Sequence, residues 1–348
     1  MNPTTSQNIK RPRVVWIDTA KGICILLVVL QHASIYLGVD YPFKRDFLTF
    51  RMPLYFILSG LFFKTYEGFA GFAKRKINKL IIPYVFFFIV GSVIIPYLLY
   101  QAFGIKIWFY SNYGLEGVKY LFTEKAMCNP AIWFLACLFE VNIIFYVIQI
   151  IASRFQKKEL VIVLISMITG ITGILLYVCH INLPYTIDSA LTATPFFFFG
   201  WYLRNYTSFL SWENSLKTFI IATVFVLFFF LVVHNFNHGA LYIKSNSYGG
   251  LLGMLELYPY GIIGTLMVLS ISRIIGKVPV LSYLGRYSII VLCVHCFIIQ
   301  FVSDLLYVKM GESFVITFII IAFLCVIVIP FFKNYLPWFT AQKDIVKV

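Results

Sequence analysis

The chain has 348 residues, of which 61% are hydrophobic and 12% charged, with 28 Lys and Arg against 14 Asp and Glu. Its mean hydropathy is +0.88. A water-soluble globule has nowhere to hide that much apolar surface, and a disordered chain would be polar, so the composition predicts an all-α protein, a polytopic transmembrane helix bundle.

Windows of about 20 residues mark the apolar segments. Ten emerge in chain order: 16–37, 47–64, 80–101, 131–152, 159–179, 187–203, 216–234, 249–271, 280–302 and 313–332. The basic excess then reads as topology rather than as a nucleic-acid surface, because Lys and Arg are held on the cytoplasmic side. With ten spans and both termini cytoplasmic, eighteen of the 28 Lys and Arg fall on the inner side and eight on the outer. The first apolar run follows basic residues but carries Asp18 and Lys21 at its start and Gln31 and His32 where a cleavage site would want small residues. It reads as an uncleaved first helix. Residues 1–13 and 336–348 are expected as cytoplasmic tails around a membrane domain at 14–335. The longest outer loop, 102–130, carries Trp108, Tyr110, Tyr113 and Tyr120. These aromatics suit either an interfacial belt or a platform for a sugar-like acceptor.

Ionisable groups at membrane depth cost roughly 2.5–3.5 kcal/mol on insertion scales, so they point to cavities and partners. In the first helix, Lys21 and His32 are 11 steps apart, which at 100° per residue leaves about 20°, and Asp18 lies about 40° to the other side. All three share one face, with Asp18 and Lys21 spaced to pair and His32 about 21 Å beyond Asp18. Arg51 stands at the outer end of the second span, just before Pro53, which is expected in the first helical turn. It reads as a snorkelling anchor or as a cation near His32.

Lys74, Arg75, Lys76 and Lys79 form the densest basic cluster. It suits anionic-lipid anchoring or binding of phosphate groups. Glu140 and Glu256 are acids in apolar segments, each able to pair with a cation such as Arg286. His295 is expected in mid-span, His180, His234 and His238 at span ends, the last two solvated. The seven cysteines include Cys293 and Cys296, whose CxxC spacing within an apolar helix reads as small buried residues. No metal site is expected.

Five stretches together resemble the acyltransferase-3 family of integral membrane acyltransferases. They are Trp16-Ile17-Asp18-Thr19-Ala20-Lys21-Gly22 running on to His32, Met52-Pro53-Leu54-Tyr55-Phe56 with Ser59-Gly60, the basic stretch before Pro83, Trp133-Phe134-Leu135, and Leu284-Gly285-Arg286-Tyr287-Ser288 leading to His295. The pattern runs over about residues 14–335. The resemblance implies transfer of an acyl group, most often acetyl, from cytoplasmic acyl-CoA to a hydroxyl of a cell-surface or lipid-linked carbohydrate. It implies acetyl-CoA as donor substrate with no tightly bound cofactor, and a multi-pass protein of a bacterial inner membrane. His32 would be the catalytic histidine, as general base or acyl-imidazole relay, with Asp18, Lys21 and Arg51 around it. The family's two spaced arginines map onto Lys76 and Lys79, a departure that removes the planar guanidinium fork; Arg75 would share the role. The other reading of composition alone is a secondary transporter of a small polar or anionic solute, which would also place charge at the midplane. No inverted repeat accompanies it here.

Overall fold

The computed structural model describes residues 14–66, 68–104, 129–211, 216–237, 242–244, 247–308 and 310–347. The aromatic loop residues Trp108, Tyr110, Tyr113 and Tyr120, and His238, lie outside them.

Each of the ten apolar segments is helical. The helices are α1 (Val15–Leu37), α2 (Lys44–Gly60), α3 (Gly68–Lys76), α4 (Ile82–Ile89) and α5 (Ile95–Phe103). After them come α6 (Trp133–Ala152), α7 (Lys158–Val178), α8 (Ile187–Tyr206) and α9 (Leu216–Phe228). The last four are α10 (Leu251–Ile275), α11 (Pro279–Arg286), α12 (Ser288–Val302) and α13 (Phe314–Tyr335). Segments of π-helix at Ile77–Ile81 and Val90–Ile94 join α3, α4 and α5 into one rod. Among the described residues extended pairing is limited to one bridge, Tyr242 to Ser247.

Among the described residues eight helices are long and apolar enough to cross a membrane, with α3 and α4 counted as one to Ile94 and α9 carried on to Phe236. Three of these, α7, α9 and α13, turn an apolar stripe outward. On α7 the exposed side chains are Leu160, Leu164, Ile168, Ile171 and Leu175. That spacing of three and four is one helical face, and in water it would be an aggregation surface; against lipid it is at rest. The 17-residue α2 and the 20-residue α8 fall outside this set. They pack on each other and on other helices, so polar residues such as Ser189, Thr192 and Thr194 can be fully buried in α8, where Thr194 bonds back to the Ala190 carbonyl at 2.8 Å. The protein is a multi-pass all-α membrane bundle.

Two crossings set the frame. Gly22 of α1 lies on the backbone of Leu281, and Gly285 of α11 lies on the carbonyl of Asp18. Gly60 of α2 meets the Phe197 carbonyl, while Gly200 of α8 meets the Ile57 carbonyl. Small residues let helix backbones touch where lipid gives no hydrophobic drive to associate. Thr19 secures the first crossing, with its hydroxyl 2.7 Å from the Gly276 carbonyl and 2.9 Å from Ser282 Oγ. Gly285→Val should therefore push α11 off α1, since the new atoms meet backbone that has no rotamer to yield. The cost should exceed the ~1–3 kcal/mol of ordinary overpacking. Fluorescence-detected size exclusion should show loss of the monodisperse peak, whereas Gly71→Ala, where a Cβ meets nothing within 4 Å, should leave it intact.

Two local expectations are corrected. Helix α2 starts at Lys44, three residues early, because Phe43 turns the chain with φ of 62° and Asp46 supplies the acid that the first turn favours. Asp46 is itself held by His234 Nδ1 at 2.7 Å. So Pro53 lies inside the helix rather than in its first turn and Arg51 sits mid-helix, while His234 stays exposed at the span end, as expected. The ninth predicted span, 280–302, is two helices. The chain turns at Tyr287 (φ −110°, ψ 26°) between α11 and α12. Arg286 is consequently exposed at a helix end and not within a span.

Candidate active site

Two cavities lie back to back inside the bundle. One, of about 410 Å³, is basic: Lys21 of α1, Arg75 and Lys76 of α3 and Lys79 of the first π segment all line it. The other, of about 210 Å³, contains His32 of α1, Arg51 of α2 and Lys244. Tyr55, Phe134 and Leu292 border both. These three side chains are the partition between them, with the Tyr55 and Phe134 rings 5.3 Å apart.

Helix α1 serves both chambers from the single face read from its periodicity. Lys21 enters the basic cavity and His32 the other, 11 residues and about 16 Å along the axis. Asp18 borders neither cavity; it is buried where α1 meets α11.

The histidine cavity joins residues far apart in the chain. The His32 and His295 rings have centroids 5.2 Å apart at 56°. His295 is fully buried, and its Nδ1 lies 2.8 Å from the Val291 carbonyl. A carbonyl only accepts, so Nδ1 carries the hydrogen and Nε2 of the neutral ring keeps its lone pair. Cys296 Sγ stands 3.6 Å from that Nε2. His32, His295 and Cys296 bring one ligand atom each within 4.8 Å of one another. The donor set resembles that of a zinc site, but Arg51 and Lys244 act on the same imidazole and oppose a divalent ion there.

Arg51 is the most telling group in this chamber. Its Nε and one terminal nitrogen, Nη1, are buried with no hydrogen-bond partner among the described residues. Buried guanidinium nitrogens are normally satisfied. Arg51 as a residue lines the cavity, which places its guanidinium beside a space for a ligand. The backbone of Arg51 is fixed by Cys24, whose thiol donates to its carbonyl at 3.0 Å.

In the basic cavity three of the cations rest on aromatic faces. Lys21 Nζ is 5.0 Å from the Phe62 ring, Arg75 is 4.6 Å from Tyr66, and Lys76 is 5.4 Å from Phe72. Lys79 instead donates to the Ala341 carbonyl and to Asp344, both at 2.9 Å.

The remaining candidates lie elsewhere. Glu140 accepts from the Thr186 hydroxyl at 2.5 Å and from its N–H at 3.4 Å, tying α6 to the start of α8. Arg286 lies 5.4 Å over the Tyr287 ring, in a shallow surface cleft with Lys333 and Lys343. The expected choice of Arg286 as partner for Glu140 thus gives way to Thr186. Glu256 is half-buried beside Tyr260. None of the three borders the two central cavities. Sequence reasoning passed over Tyr55, Lys244 and Asp344. Tyr55 lay within a quoted motif. Lys244 and Asp344, in short polar stretches near chain turns, carry no periodic signal.

The class of protein is a polytopic membrane bundle with a basic chamber set against a histidine chamber. A family model described as an acyltransferase domain matches residues 14–333, so the chain belongs to the acyltransferase-3 family and is a membrane acyltransferase. No curated protein and no solved structure matches it significantly.

Proposed function

We propose that the protein moves an acyl group, acetyl by preference, from cytoplasmic acyl-CoA to a hydroxyl of a carbohydrate or glycolipid on the other side of a bacterial inner membrane. The observation that carries this reading is the pair of cavities sharing the wall of Tyr55, Phe134 and Leu292. A basic chamber suits nucleotide phosphates. An adjoining chamber with an imidazole and a guanidinium suits acyl transfer. The distance between them, about 16 Å along α1, suits an extended thioester arm entering past the partition. The topology expected from the Lys and Arg count, ten spans with both ends in the cytoplasm, would put the basic chamber on the donor side.

His32 has the principal role. A sugar hydroxyl is a weak nucleophile, and a neutral imidazole near pH 7 can take its proton as the oxygen attacks the thioester carbonyl. The guanidinium of Arg51, which lines the same cavity, would stabilise the resulting oxyanion. Collapse expels the thiolate of CoA, which recovers the proton from His32 and leaves as the thiol. In the relay version His32 attacks first and expels the thiolate, which takes the ring N–H proton and leaves as the thiol; the acyl-imidazole then passes the acyl group to the hydroxyl, whose proton returns to the departing imidazole. Either version uses the same two side chains.

Arg51→Gln should lower kcat by about 10²–10³, the cost of losing one oxyanion donor, with little change in donor KM. A matching rise in donor KM at unchanged kcat would move Arg51 to ground-state binding. The reading as a whole is tested with purified protein in vesicles, radiolabelled acetyl-CoA and a membrane glycan acceptor. Labelled glycan should appear, and surface glycans from cells lacking the gene should lose an acetyl mass in mass spectrometry. Release of label only to water, with unaltered glycans, would overturn it.

A further inference from the structure

The C-terminal segment beyond the matched domain is folded onto the basic cavity. After α13 the chain turns back: the N–H groups of Gln342 and Lys343 both bond the Pro337 carbonyl, at 2.9 and 3.0 Å. Phe339 stacks on Phe86, with centroids 4.1 Å apart at 15°. Asn78, fully buried in the π segment, then clamps the chain end. Its Oδ1 accepts from the N–H groups of Ile345 and Val346, both at 2.9 Å, and its Nδ2 donates to the Val346 carbonyl at 2.8 Å. This arrangement reproduces backbone pairing with a side-chain amide and fixes the register of the segment to the residue.

The clamp delivers Asp344 to the cavity. Among the described residues lining it, Asp344 is the acid facing Lys21, Arg75, Lys76 and Lys79. Lys79 has three N–H donors and gives two of them to this segment, one to the Ala341 carbonyl and one to Asp344 Oδ1. An anionic ligand entering the chamber therefore meets a carboxylate already on one of its cations.

We propose that Asp344 is an internal anion that holds Lys79 and sets the affinity of the basic cavity for the phosphates of the acyl donor. The inference rests on the donor reading given above. Binding of donor phosphate displaces the carboxylate from Lys79, and the clamp at Asn78 keeps it near enough to return when the product CoA leaves. The segment thus weakens ground-state binding and favours turnover, since a product held too tightly limits kcat.

The pair is about two-fifths exposed on each side, so its worth is that of a partly screened ion pair, up to ~1 kcal/mol. The experiment is calorimetric titration of CoA itself into the purified full chain in nanodiscs at low salt. Asp344→Asn, which keeps the volume and removes the charge, should tighten CoA about two- to fivefold. Asp344→Ala should act in the same direction, and Lys79→Gln should weaken binding. High salt should shrink the difference between wild type and Asp344→Asn, a response that a merely structural role would lack. Unchanged or weaker CoA binding in both Asp344 variants, with Lys79→Gln still weaker than wild type, overturns this inference and leaves the donor reading standing. CoA that binds neither wild type nor any variant removes the donor reading, and this inference with it.

Discussion

His32→Ala is expected to abolish acyl transfer, with a fall of at least 10³ in kcat, while the protein still inserts, folds and binds CoA. General base catalysis alone contributes about 10²–10⁴, and a relay would lose the whole pathway because alanine has no nucleophile. The expectation follows from position. The imidazole borders the smaller chamber, against the wall shared with the basic one, and its ring neighbour is His295. The chamber proposed for the donor is lined by Lys21, at the other end of the same helix face, so CoA binding should survive the change. Product formation at the wild-type rate would remove His32 from the chemistry. Loss of CoA binding along with activity would mean that the ring supports the fold. His32→Gln, which retains size and hydrogen bonding without the basicity, separates these outcomes.

The double variant Lys76→Ala with Lys79→Ala should raise the donor KM by about 10- to 100-fold, and leave acceptor KM and kcat close to wild type. A hydrogen bond to a charged group is worth about 1.5–3 kcal/mol, and two cations leave a phosphate site that retains Arg75 and Lys21. Of the single variants, Lys76→Ala should cost more. Lys76 makes its aromatic contact beside the cavity with Phe72, while Lys79 is already engaged by Asp344 and the Ala341 carbonyl. The sequence pattern offered two uses for this cluster. An unchanged donor KM would assign it to anionic-lipid anchoring; the expected rise assigns it to the donor.

Much of the architecture is legible along the chain. Apolar segments of span length announce helices because, without water, only helices satisfy every backbone group locally. The stripe on α1 is legible for the same reason, since 100° per residue places Lys21 and His32 on one face before any neighbour is known. The pairing of Lys76 and Lys79 in one cavity follows from a spacing of three. Where periodicity meets a tertiary constraint it falls short. It begins α2 too late, because the stabilising partner of Asp46 is His234, 188 residues away. It also runs α11 into α12, because the polar stretch Gly285-Arg286-Tyr287-Ser288 at the break is short enough to be read as part of one span.

Read along the chain alone, this is a lipid-facing helical protein with a charged stripe, a basic cluster and an intramembrane histidine, all properties of neighbours within a few turns. Packing across the bundle brings His32 to His295, carries Arg51 to the same chamber, and stands Tyr55, Phe134 and Leu292 between the two cavities. It likewise returns the chain end to Asn78 and Lys79. The reason is physical. Local periodicity fixes which face a side chain occupies, whereas a cavity is the space left when several helices pack, and its walls depend on close crossings such as Gly22 on Leu281 and Gly200 on Ile57.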